Sequence, residues 1–151
     1  MNAKLLLRIA AIVMLFHGVG HTVGVATWES PDGDVYRQIP QVVSAMQDTE
    51  FSFMGKDGAT MAGFYSGFGY CGTIFLVFVA LLLWILAGWK DKSVTPVLWI
   101  TGLAIVALAV LEIIYFFPMA VAFCLISSAL VFTSIFLINK TKTNISEIFF
   151  T

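Results

Sequence analysis

His17 and His21 stand four residues apart in a stretch that is otherwise almost wholly apolar. That spacing puts both imidazoles on one helix face, one turn apart. Ionisable groups at membrane depth are costly, so they face protein or water and mark candidate sites. Glu112 is the single acid between Val94 and Asn139, in another apolar run. His17, His21 and Glu112 make a two-histidine, one-carboxylate set, which suits a divalent transition metal. HxxxH lacks the internal glutamate of the HExxH zincins, so the spacing is not itself diagnostic. Haem is disfavoured, because two rings on one face of one helix cannot bracket a porphyrin. The same residues support two other chemistries. Glu112 and His21 form an acid–base pair able to move a proton on a lipid-like substrate. Alternatively, a histidine and Glu112 are hydrogen-bonding glue between helices.

The elements that must position these groups follow from composition. The chain has 151 residues, 60% hydrophobic and 11% charged, against about 25% charged in a soluble domain. It reads as a single integral membrane domain, residues 1–151. Net charge is −1, with no basic patch, which argues against nucleic acid as a partner. A span needs about 20 mostly apolar residues. Four segments qualify: 5–27, 62–89, 94–117 and 119–139. Pro118 cannot continue a helix and biases Phe117 away from helical geometry, so the last two spans form a tight hairpin. The first apolar run is longer than the signal-peptide core of about 7–15 residues, and no small-x-small cleavage site follows it, so it reads as a span.

Charge sets the expected direction. Lys4, Arg8, Lys90, Lys92, Lys140 and Lys142 fall on one side of a four-span chain, and Arg37 and Lys56 on the other. The positive-inside rule then puts both termini in the cytoplasm. The outer loop, residues 28–61, carries six of the nine acids. Trp28, Trp89 and Trp99 fall near the expected interfaces. In the loop, Ser30-Pro31-Asp32 suggests a short helix with Pro31 at its first position, and Pro40 restarts it. Val42, Val43 and Met46 share one face, as in an amphipathic helix lying at the membrane surface or over a site. Residues 141–151 read as a short cytoplasmic extension.

Given that direction, polar groups gather at one depth. At a rise of about 1.5 Å per residue, His21 lies about 9 Å below the outer end of span one, and Glu112 and Tyr70 match it. Cys71 and Cys124 share this depth, which admits a disulfide, although free cysteines ordinarily act as small buried hydrophobes. The inner halves of spans two to four are nearly pure Leu, Ile, Val and Ala. A polar pocket of His17, His21, Tyr70 and Glu112 in the outer half is therefore expected. Gly20/Gly24 and Gly63/Gly67 are small-xxx-small pairs that let backbones approach, which predicts close packing of spans one and two there.

Phe16-His17-Gly18-Val19-Gly20-His21-Thr22, Phe51-Ser52-Phe53-Met54-Gly55, Phe64-Tyr65-Ser66-Gly67-Phe68-Gly69 and Leu111-Glu112 together resemble a family of small bacterial inner-membrane proteins of unknown function. The resemblance covers most of the chain, from span one to span four, and the segment Lys56–Thr60 is less basic than its family counterpart. It implies an inner-membrane four-helix bundle and no particular activity. The expectation is an all-α, four-helix transmembrane bundle with a short extracytoplasmic amphipathic helical loop. It would be a binding or accessory protein for a small ligand or metal. The alternatives are an intramembrane enzyme on a lipid-like substrate and a structural subunit. Membrane lipid, a small apolar ligand, a second copy or a larger membrane complex are the partners this allows. Four unbroken spans without inverted repeats disfavour transport.

Overall fold

Four helices of this computed structural model are long and apolar enough to cross a membrane: Ala3–Thr27, Met61–Leu86, Thr95–Tyr115 and Pro118–Lys140. The structure describes residues 2–53, 55–89 and 94–149. Lys90 and Lys92, which carry part of the expected orientation, and Met54 of the FxFMG piece lie outside them. In chain order the elements are α1 (Ala3–Thr27), α2 (Asp34–Gln38), α3 (Pro40–Asp48), β1 (Glu50–Phe53), β2 (Lys56–Thr60), α4 (Met61–Leu86), α5 (Thr95–Tyr115) and α6 (Pro118–Phe149). Helix is what an apolar run must form in lipid, because it satisfies every backbone polar group within the segment. The protein is thus an all-α, multi-pass membrane protein. The spans start and stop within a few residues of the sequence expectation. α6 departs from it, continuing as helix through the expected tail as far as Phe149.

The chain folds as two compact units. One is Met1–His17 with Leu76–Thr151, and the other is Gly18–Phe75. The first unit is a packed bundle of segments from α1, α4, α5 and α6. Leu7, Ala10 and Met14 meet Leu83, Leu98, Ile105, Val131 and Ile135 in one buried core. Large apolar side chains on the opposite faces, among them Ile100, Ile113 and Phe136, are exposed. A helix apolar all round belongs in a membrane, and there those faces meet lipid. α5 ends where Phe116 turns extended and its N–H bonds the Glu112 carbonyl. Pro118 then opens α6, so the hairpin forms where the proline demands it. The two helices approach closely at Gly102, where an added Cβ would sit 3.0 Å from the Phe132 ring. Arg8, within the first span, lies 5.2 Å from the Trp84 ring centroid, a cation–π contact.

The second unit holds the segment between α1 and α4, and it differs from a purely helical loop. α2 begins at Asp34 with Gly33 as its cap, not at Pro31. The turn closed by Gly33 N–H on the Ser30 carbonyl takes up Pro31, and Asp34 supplies the acid that favours a helix N-terminus. α3 starts at Pro40 as expected and buries Val43 completely, with Met46 packed beside it. β1 and β2 pair antiparallel, where the sequence suggests only helix in the loop. Phe51 pairs with Ala59, and Phe53 with Lys56, with an irregularity between them. Gly55 and Gly58 take φ of 84° and 67°, which is where glycine is needed to turn the chain. Trp28 directly follows the first span. It is buried against Val43 and Ala62.

Candidate functional site

Two sets of polar side chains meet on these helices, one in each unit. The part of α1 that belongs to the first unit closes with His17, one turn beyond buried Met14. α5 presents Glu112, and α6 presents Cys124, each at the helical spacing that also buries Ala109 and Ser127. All three side chains are buried, at 5% or less of their exposed area. His17 Nε2 lies 3.2 Å from Glu112 Oε1. On the other side of the same ring, Nδ1 lies 3.6 Å from Cys124 Sγ. The Phe123 ring stacks on the imidazole at 5.6 Å between centroids. One donor atom from each of His17, Glu112 and Cys124 can be chosen so that all lie within 4.8 Å of one another.

The hydrogen bonding here is incomplete. Glu112 Oε2 and Ser127 Oγ are buried without a hydrogen-bond partner among the described residues. Buried polar atoms are nearly always paired, so each exception calls for a cause such as an absent ion or ligand. The tautomer depends on the protonation of Glu112. If Glu112 is a carboxylate it only accepts, so Nε2–H donates to Oε1. In a neutral ring Nδ1 is then left to accept from the Cys124 thiol.

In the second unit the polar groups of α1 bond to backbone and to α4. His21 Nε2 is 3.0 Å from the Gly69 carbonyl oxygen, which can only accept, so Nε2–H donates. The contact needs a bare backbone. An added Cβ at Gly72 would sit 2.9 Å from His21 Nε2, and one at Gly69 would sit 2.5 Å from a Val25 methyl. Thr22 Oγ1–H is shared between the Gly18 carbonyl and Thr73 Oγ1. The helices therefore approach through Gly69 and Gly72. Gly20, Gly24 and Gly67, three of the four glycines expected to do this, have open space where a Cβ would go. The small-residue spacing identified a possible approach, and the bulk of His21 and Val25 on α1 decided which glycines receive it.

Of the residues expected from sequence, the structure joins His17 to Glu112. It brings Cys124 to them, a cysteine that the sequence reading took as a small buried hydrophobe or a disulfide partner. His21 turns to backbone, and the Tyr70 side chain is about half exposed. Both cysteines are free thiols, Cys71 exposed and Cys124 buried. The signal for Cys124 was present in its depth, which matches Glu112 across the Pro118 turn. A separate apolar groove of about 570 Å³ lies in the second unit, lined by Phe51, Thr60, Gly63, Phe64, Gly67 and Cys71 among others. None of the four predicted site residues lines it. No family model matches the chain, and neither a curated protein nor a solved structure matches it significantly.

Proposed function

We propose that this multi-pass membrane protein is a binding or accessory protein whose binding centre is the buried cluster of His17 and Glu112, completed by Cys124. One observation carries the reading: among the described residues one oxygen of the buried Glu112 carboxyl has no hydrogen-bond partner, while an imidazole and a thiol stand beside it. Glue between helices needs no spare acceptor, and its natural form pairs every buried lone pair. A small ligand or metal ion supplies the missing partner. His21 bonds a backbone carbonyl in the second unit, so the reading does not draw on it or on Tyr70. We place the protein in a bacterial cytoplasmic membrane with both termini in the cytoplasm. The lysine and arginine distribution supports that direction, and the FHGxGH resemblance supports that membrane.

The test is native mass spectrometry with elemental analysis on the full chain in mild detergent. A stoichiometric adduct on the wild type that is lost in Glu112→Gln is the expected result. A wild type that carries nothing, and takes up nothing on reconstitution, overturns the reading.

A second reading has its own observation. The thiol and the carboxylate use opposite nitrogens of one imidazole, which is the order of a nucleophile, a base and an orienting acid. An intramembrane enzyme acting on a lipid-like substrate would use Glu112 and His17, rather than His21, as its acid–base pair. Cys124 is fully buried, and reactive thiols are ordinarily accessible, so binding is the better-supported function. Glu112→Gln with retained binding and lost turnover would reverse that order.

A further inference from the structure

We infer that the ligand of this centre is a single divalent ion of the zinc class, held by His17, Glu112 and Cys124 with one coordination position left to a further ligand. The inference rests on the reading of the cluster as a binding centre and names what it binds.

Donor type limits the ion. One imidazole nitrogen, one thiolate sulfur and one carboxylate oxygen make a mixed set of borderline softness. Magnesium and calcium prefer oxygen alone, whereas zinc accepts all three donor types. Spacing fits as well. Bonds of about 2.0–2.3 Å in a tetrahedron hold donors about 3.3–3.8 Å apart. Two pairs already stand at 3.2 and 3.6 Å. These pairs use different nitrogens of His17, so an ion taken by one nitrogen must draw in the third group, which starts within 4.8 Å. Three protein ligands and an open fourth position are the pattern of zinc sites that act on or exchange a ligand, whereas purely structural sites close all four.

Charge decides the oxidation state. An uncompensated charge among apolar helices is costly. A divalent ion with one thiolate, one carboxylate and a neutral imidazole sums to zero. Monovalent copper with the same deprotonated donors leaves a net negative charge in the bundle. The cluster without metal is neutral when it carries one thiol proton and one proton shared by the His17–Glu112 pair. Binding is then a balanced exchange. The M–S, M–O and M–N bonds form, the thiol proton and the shared proton leave for solvent, and no electron moves. Neutrality before and after makes this exchange possible in a low-dielectric setting. Glu112 Oε2, buried without a hydrogen-bond partner among the described residues, is the atom that the ion or its fourth ligand would engage.

The experiment titrates the purified full chain in mild detergent with zinc, and with cobalt(II) as a spectroscopic stand-in, while a pH indicator counts released protons. One ion per chain, two protons per ion and a sulfur-to-cobalt charge-transfer band are expected. Cys71→Ala should keep the band. Cys124→Ser, close in size, should lose it. Cys124→Ser and Glu112→Gln should each weaken binding by more than about 100-fold, since even outer partners of a ligand are worth about 10–100-fold. Binding without a sulfur band, binding indifferent to Cys124→Ser, or equal uptake of magnesium would overturn this ligand set. An organic adduct lost in Glu112→Gln, with no ion bound, would overturn the metal and leave the binding centre standing. No adduct and no ion would end both.

Discussion

Glu112 is buried and Glu29 is partly exposed, and their oxygens are used differently. Glu29, in the second unit, has both oxygens engaged. Ser66 Oγ–H donates to Oε1 at 2.8 Å and Gln47 Nε2–H donates to Oε2 at 3.1 Å. Ser66 in turn accepts from the Trp28 indole N–H at 2.9 Å. That network ties α3 and α4 to the end of α1 and gives each Glu29 oxygen a protein donor. Glu112 has one oxygen beside His17 and one with no partner. The histidines repeat the contrast. His21 is aimed at a backbone carbonyl, while His17 stands between two ionisable side chains. A polar group that holds a fold together is satisfied by the fold, and one that waits for a ligand is not.

The largest expected effect tests that distinction. His17→Ala removes the ring beside Glu112 and leaves a buried acid without its imidazole partner. Breaking a buried pair in this way costs about 3–5 kcal/mol, read as a shift in the SDS or urea midpoint of the protein in micelles. Replacing both partners separates function from glue. The double change His17→Leu/Glu112→Leu puts apolar groups of similar volume in an apolar bundle. It should recover most of that loss, or exceed wild-type stability by about 1–4 kcal/mol, as replaced buried pairs often do. Ligand retention should still be gone. A double variant as unstable as the single one would mean that the pair serves the fold after all. By contrast, Glu29→Ala strips partners from Ser66 and Gln47. It should cost about 1–2 kcal/mol and leave ligand retention unchanged.

How far these regions were legible from sequence differs for physical reasons. Span number and limits were legible because burial of apolar side chains and internal backbone hydrogen bonding are both written in runs of residues. Pro118 marked the hairpin because its ring forbids the alternative. His17 and Glu112 were legible through shared depth, a one-dimensional quantity. Which of the two histidines meets Glu112 depends on helix rotation, and residues four apart differ by only about 40° around the axis. Packing of Val25 and His21 against Gly69 and Gly72 was needed to settle it. The hairpin at 50–60 did carry a signal. Phe51 and Phe53 alternate with Glu50 and Ser52, and glycines follow. Proximity to the amphipathic α3 obscured it.

The smaller effects sharpen the comparison from the structural side. Gly72→Ala places a methyl 2.9 Å from His21 Nε2, on a helix backbone that cannot easily yield. The ring must leave the Gly69 carbonyl or the helices must part, and overpacking of this kind costs about 1–3 kcal/mol. His21→Ala removes the same hydrogen bond without forcing anything apart. Interhelical hydrogen bonds in membranes average about 0.6 kcal/mol, so this change should be the mildest of the set. The Gly69 carbonyl loses only a second donor, because it keeps its ordinary place in the α4 ladder. Combining the two variants gives the decisive readout. If the methyl acts through the ring, Gly72→Ala in the His21→Ala background should cost less than Gly72→Ala alone, and the shortfall measures the clash. Strict additivity would mean that Gly72 is needed for some other contact, and His21 would lose its assignment as the residue that its bare backbone accommodates.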